Sequence, residues 1–287
     1  MTLLRRNRKW WVSGISSNHI ERPHVALSCK VTIDDRKIGL GFGKPGIGKT
    51  FSAKKFCNWS LIEANLAAKG GVVVEPATML ACDSAYYMPS VTVTAARLKI
   101  ELNQLRNRFE DAYLKAVNWH CPADWAEEIQ NQHLKLIVVD EAFRLKYQAL
   151  EQLRDIQEEW DVGILLIADP GFERALSRMW HFSVRVAHVE ELKPLSEAET
   201  NQFIDKQLEI MGLPKPPEEV CKLIHWYTQG VLRGLVNLFS MIARILKINE
   251  DVVSEVTREV VEAAREMMIF GKHGSLSKQV PLLASEA

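Results

Sequence analysis

The sequence predicts an α/β fold, an open five-stranded parallel sheet followed by a small helical bundle. Three observations carry this expectation. Short apolar runs alternate with helical patterns over residues 36–195, as parallel strands joined by right-handed crossovers require. A glycine-rich loop stands between the first apolar run and the first helix. From Ser196 onward the pattern is helical, with no strand.

The elements follow in chain order. Residues 1–35 form a basic and aromatic lead-in, with Arg5, Arg6, Arg8 and Lys9 ahead of Trp10 and Trp11. It reads either as a nucleic-acid or partner contact or as a solvated end whose tryptophans pack on the domain. Lys37–Phe42 is a short buried strand and Phe51–Lys69 a helix, stopped by Gly70-Gly71. Val72–Glu75 is the second strand, and Thr78–Thr94 is irregular. Ala95–Val117 has helical spacing, with Leu98, Leu102, Leu105 and Phe109 near one face and Arg97, Lys99, Arg106 and Arg108 on the other. Leu134–Val139 is apolar almost throughout, as a parallel strand buried on both faces should be. Tyr147–Trp160 is a helix, Val162–Ala168 a strand, Gly171–Phe182 a helix and Ala187–Leu192 the last strand. Residues 36–195 are therefore expected to form the core.

Residues 196–270 are expected to form a helical subdomain. Ser196-x-x-Glu199 is a capping box that opens a helix through Leu213. Pro214, Pro216 and Pro217 end it, and Glu218–Thr228, Val231–Leu246 and Asp251–Ile269 follow as helices. Residues 271–287 read as a loose tail.

Composition bounds the function. The chain has 287 residues, 47% hydrophobic and 25% charged, enough for a sizeable core. Lys+Arg and Asp+Glu both number 36, so binding to nucleic acid through bulk positive charge is not indicated. A local basic face would have to serve. The five cysteines form no C-x-x-C pair, which argues for a reducing cytoplasm over a disulfide framework or zinc site. No apolar run approaches the ~18 residues of a membrane span.

The chemistry is concentrated at strand ends. Gly43-Lys44-Pro45-Gly46-Ile47-Gly48-Lys49-Thr50 fits G-x-x-x-x-G-K-[ST] without mismatch, and Phe51 continues it into the helix. Phosphates need several backbone N–H groups aimed at one spot, and the helix adds its positive N-terminal end. Lys49 would reach the β- and γ-phosphates of a nucleotide, and the Thr50 hydroxyl would ligate Mg²⁺. Asp140, at the end of the strand Leu136–Val139, can hold Mg²⁺ through its waters, and Glu141 can polarise an attacking water as general base. The bland reading is an acidic pair capping the next helix. Asp169, in Ala168-Asp169-Pro170-Gly171, is placed either to sense a γ-phosphate or simply to make a turn. Arg185, or else Arg178, precedes the last strand and could act in trans as an arginine finger, or either could be merely a surface charge. Arg233, in Gly230-Val231-Leu232-Arg233, puts a cation at a helix start, where it could meet a nucleotide or form an ordinary ion pair.

Together these pieces resemble the AAA+ ATPases, over nearly the whole chain. The glycine-rich loop with its Gly41-Phe42 entry, Val138–Leu145 and the passage from Ile164 to Leu195 look most like the DNA-transposition regulators TniB, TnsC and MuB. The resemblance implies a P-loop (AAA+) sheet with a C-terminal helical lid, ATP and Mg²⁺ as cofactors, and a nucleotide shared between neighbouring subunits. It also implies assembly on double-stranded DNA as a ring or helical filament, gripping the backbone without sequence preference. Target-site selection, recruitment and activation of a transposase, and a target-selection module where one exists, would follow, with ATP hydrolysis dismantling the assembly. Arg97 and Lys99 are the candidate DNA contacts. The alternative is a STAND-type assembly or secretion-associated ATPase with no DNA role. Asp169 departs from the family pattern, in which a neutral Thr or Asn is commoner.

Overall fold

The computed structural model describes residues 23–57, 85–88, 97–104, 107, 134–249 and 255–268. Residues 21–193 form one compact unit, and the chain from Pro194 belongs to another.

In the first unit, a helix Pro23–Asp35 (α1) precedes strand Ile38–Phe42 (β1), which runs into the glycine-rich loop and helix Lys49–Phe56 (α2). Strands Ala85–Met88 (β2), Leu136–Val139 (β3), Gly163–Ala168 (β4) and Val186–Glu191 (β5) complete a sheet in the order β2-β3-β4-β1-β5. Every neighbouring pair is parallel. The three middle strands are almost wholly buried, which explains their unbroken apolar runs. Helix Tyr147–Trp160 buries Leu150, Leu153 and Ile156 in the same core.

Four of the five expected strands are present within two residues of their expected ends. Val72–Glu75 lies outside the described residues. The strand beside β3 is instead Ala85–Met88, inside the stretch expected to be irregular. Its residues are Ala-Tyr-Tyr-Met, too few to show a period. The pairing of Ala85 with Leu136 through Met88 with Val139 makes it a strand. The expected helix Gly171–Phe182 is two short helices, Phe172–Ser177 and Trp180–Ser183, because Met179 leaves helical geometry at φ −98°, ψ 79°.

The helix α1 occupies the last thirteen residues of the lead-in. It buries Val25 and Cys29 together with the polar Ser28 and Thr32. Burial pushes the Cys29 thiol up to about 12. Thr32 returns its hydroxyl to Ser28 O at 2.7 Å. The helix lies so close to the sheet that a Cβ on Gly163 would stand 2.3 Å from Thr32 O.

In the second unit the capping box forms. Ser196 Oγ accepts from Glu199 N–H, and Glu199 Oε2 accepts from Ser196 N–H at 2.8 Å. Helices Glu197–Met211, Glu218–Thr228, Leu232–Ile248 and Arg258–Glu266 pack around Phe203, Ile224, Leu235, Phe239 and Ile242. Phe203 and Phe239 meet edge to face at 5.7 Å.

Gly163→Ala drives a methyl into backbone that cannot swing aside. Overpacking of this kind costs ~1–3 kcal/mol. Urea denaturation of this variant should show a loss in that range, and unchanged stability would mean that α1 does not rest on β4.

Candidate nucleotide-binding site

The strand register builds the site. Phe42 pairs with Ala168, Val139 with Leu166 and Met88 with Val139, so β1 and β4 end together and β3 and β2 end two residues earlier at the same C-terminal edge. Gly43 N–H donates to Ala168 O at 3.2 Å and Asp140 N–H to Met88 O at 3.0 Å, carrying the pairing one residue past the strands. Gly43, Asp169 and Asp140 thereby emerge side by side, with Asp169 in the middle because β4 lies between β1 and β3.

The loop's geometry demands its glycines. Gly46 and Gly48 have φ of +81° and +98°, in the left-handed region that side chains disfavour. Gly48 is the N-cap of α2, so the chain turns sharply and enters the helix with Lys49 and Thr50 in its first turn. Ile47 is buried beneath the loop.

Lys49 is spent entirely on protein oxygens. Its ammonium donates to Gly43 O, to Lys44 O at 3.1 Å and to Asp169 Oδ1 at 2.9 Å. The lysine side chain is 10% exposed and the aspartate 39%. Thr50 Oγ1 donates to Asp140 Oδ2 at 2.5 Å. Asp140 is buried, and accepts two more hydrogen bonds, from Tyr87 OH on Oδ2 at 2.7 Å and from Glu141 N–H on Oδ1 at 2.8 Å. Burial first, then the hydrogen bond to Asp140 and the charges of Asp140 and Glu141, push the Tyr87 hydroxyl far above its ordinary range. It therefore stays protonated as a donor. Glu141 sits at φ +50°, a left-handed conformation that costs of order 1 kcal/mol or more in a non-glycine residue. Its carboxylate meets Arg144 Nε at 3.0 Å.

The donor set suits a hard cation such as Mg²⁺. A hydroxyl and a carboxylate lie together, and among the described residues no cluster of three or more His, Cys, Asp or Glu forms a closed cage. Mg²⁺ takes most of its ligands from water and phosphate, so two protein oxygens suffice. The cation would neutralise charge on the phosphates. Lys49, Thr50, Asp140, Glu141 and Asp169 are thus gathered at one edge. Phe51 is half-buried in the first turn of α2.

Three of the remaining candidates are held in ion pairs of their own. Arg185 Nε donates to Glu158 Oε1 at 2.6 Å and its Nη1 to His181 O at 3.0 Å. Arg178 is exposed. Arg97 pairs with Glu101 at 2.8 Å and Lys99 with Glu159 at 2.9 Å, all exposed or partly so. Arg233 is exposed in the first turn of Leu232–Ile248, in the second unit. Two functional neighbours escaped the sequence reading. Tyr87 lay in the stretch expected to be irregular, and Arg144 carries no signal beyond its i+3 spacing from Glu141.

A glycine-rich loop and a strand-end Asp-Glu, brought together across an interposed strand, define a P-loop nucleotide-binding fold. A family model described as an AAA domain matches residues 32–176. The chain belongs to that family. A Staphylococcus aureus protein described as a potential ATP-binding protein is 31% identical over 263 residues, covering 88% of this chain and 95% of its own. The Thermotoga maritima RuvB Holliday junction branch migration motor is similar in fold, with a TM-score of 0.53 at 15% identity, covering 85% of this chain and 67% of that one. So is the Aeropyrum pernix ORC1 protein in complex with DNA, with a TM-score of 0.51 at 17% identity, covering 91% of this chain and 69% of that one.

The Lys49–Asp169 pair makes a specific demand. Phosphate must take Lys49 over from a carboxylate that stands beside it. Asp169→Asn removes the competing anion, and a partly screened ion pair of this kind is worth about 1 kcal/mol. Nucleotide affinity, measured by titration calorimetry, should then rise about fivefold. Weaker binding would show that Asp169 assists the phosphates.

Proposed function

We propose that this chain is a Mg²⁺-dependent ATPase that regulates DNA transposition. It assembles with copies of itself on double-stranded DNA, marks a target site and recruits and activates a transposase. Hydrolysis of ATP then releases the assembly. One observation carries the ATPase part: Lys49, Thr50, Asp140 and Glu141 converge at the C-terminal edge of the sheet. In this reading Lys49 exchanges Asp169 for the β- and γ-phosphates. Thr50 and Asp140 hold Mg²⁺, and Glu141 takes a proton from the attacking water. Arg185 leaves Glu158 to meet a neighbour's γ-phosphate, and Arg233 responds to bound nucleotide from the second unit. The description of the Staphylococcus aureus relative as potentially ATP-binding agrees.

The DNA part rests on the resemblance to TniB, TnsC and MuB. Proteins of the same fold act on DNA or are bound to it: RuvB is a Holliday junction motor and ORC1 stands in complex with DNA. Arg97 and Lys99 are the proposed contacts. Their ion pairs are exposed, worth ~0.2–1 kcal/mol each, so exchange for backbone phosphate is inexpensive. Those same pairs also favour the second reading, an assembly or signalling ATPase without a DNA role.

Two measurements separate the readings. ATP hydrolysis and sedimentation are followed with and without double-stranded DNA, at low and high salt. Large ATP-dependent assemblies that form on DNA and weaken with salt are expected. Assembly and turnover indifferent to DNA at every salt concentration would select the second reading. Glu141→Gln should slow turnover about 10²-fold or more while ATP-dependent assembly persists. Normal turnover in that variant removes Glu141 as the base.

A further inference from the structure

Asp140 Oδ2 accepts two hydroxyl hydrogen bonds, one from Thr50 at 2.5 Å and one from Tyr87 at 2.7 Å. Thr50 belongs to the glycine-rich loop. Tyr87 comes from β2 and belongs to no motif. It is 3% exposed, so a polar group has been carried into the core to reach this one carboxylate. A phenylalanine would fill the same space without a buried hydroxyl to satisfy.

We propose that Tyr87 is a positioning residue for the divalent cation of this site, acting through Asp140. The proposal rests on the Mg²⁺-dependent reading given above. The chemistry of a neutral hydroxyl ligand is the reason. Thr50 can turn a lone pair to a cation only if its proton has somewhere to go, and Asp140 Oδ2 is that acceptor. One further donor on the same oxygen fixes the plane of the carboxylate. With Glu141 N–H holding Oδ1 at 2.8 Å, rotation of Asp140 is stopped at both ends. Tyr87 is itself steadied from α2. The Lys54 ammonium lies 5.0 Å from its ring centroid, close enough for a cation–π contact. One residue thus ties β2 to the helix that starts at Lys49 and to the carboxylate that ends β3.

Hydrogen-bond partners of metal ligands typically change metal affinity 10–100-fold. The test uses the full chain and a fluorescent ADP analogue, with affinity followed against Mg²⁺ concentration and in EDTA. Tyr87→Phe should raise the Mg²⁺ midpoint about tenfold or more and leave affinity in EDTA unchanged. A midpoint equal to that of the unsubstituted protein overturns the proposal. So does an equal loss in EDTA and in Mg²⁺, which would mark Tyr87 as merely structural. The double variant Tyr87→Phe, Asp140→Asn supplies a second reading. Its midpoint should match that of Asp140→Asn alone, and an additive shift would mean that Tyr87 does not act through Asp140. Nucleotide binding by the unsubstituted protein that ignores Mg²⁺ would overturn the metal-site reading itself, and this proposal with it.

Discussion

The ending of three neighbouring parallel strands at one edge of the sheet is the constraint on which the site depends. Parallel strands deliver all their C-terminal ends to one edge, so residues distant in sequence can share a site without a dedicated scaffold. Placing β4 between β1 and β3 sets the glycine-rich loop and the Asp-Glu pair two inter-strand steps apart, roughly 10 Å at ~4.8 Å each. The first turn of α2 bridges that gap. Lys49 ends at Asp169, in the middle, and Thr50 reaches Asp140 on the far side. A one-residue slip of β3 against β4 would turn Val139 toward the loop in place of Asp140.

The same edge carries a charge problem, and the chain solves it internally. Asp140 is buried and would be costly as a bare carboxylate; it is held by three donors. Lys49 spreads its charge over two carbonyls and Asp169, while Glu141 lies against Arg144. Lys49, Asp140 and Glu141 are therefore satisfied by protein before any phosphate arrives. Ligand binding at such a site is an exchange of partners, and its strength is the difference between old and new contacts. That difference is small for a lysine leaving a carboxylate for a phosphate. A site of this design can release nucleotide as well as hold it.

Legibility in the sequence followed locality. Loop chemistry requires Gly, Lys and Thr at adjacent positions, so Gly43–Thr50 could be read directly, and Asp140-Glu141 stood out as acids ending an apolar run. Two helices of the second unit were legible for similar reasons: Ser196 and Glu199 cap one, which ends at a left-handed Gly212 just before the expected prolines, and Glu218–Thr228 has the expected bounds. What was missed depends on distant partners. The four residues of β2 form a strand because β3 lies beside them, and Tyr87 gains its role only from that pairing. The face of α1 turned to the sheet includes Ser28 and Thr32, small polar residues needed where Gly163 lets the helix approach. A face so built leaves only a faint apolar period. The engagement of Arg185 with Glu158, 27 residues earlier, is likewise set by packing that spacing does not encode.

The second unit has its own tight junction, and it bears on Arg233. Leu195 N–H donates to Gly230 O at 2.9 Å, and a Cβ on Gly230 would stand 2.0 Å from Leu195 O. Gly230 is left-handed, at φ +66°. The chain entering the bundle is thereby fastened to the turn that opens Leu232–Ile248, and Arg233 is the second residue of that helix. Its placement is electrostatically adverse, because a cation in a first turn opposes the helix dipole by ~0.3–1 kcal/mol. The cost is offset wherever an anion comes near, and a nucleotide phosphate is the anion proposed for this protein.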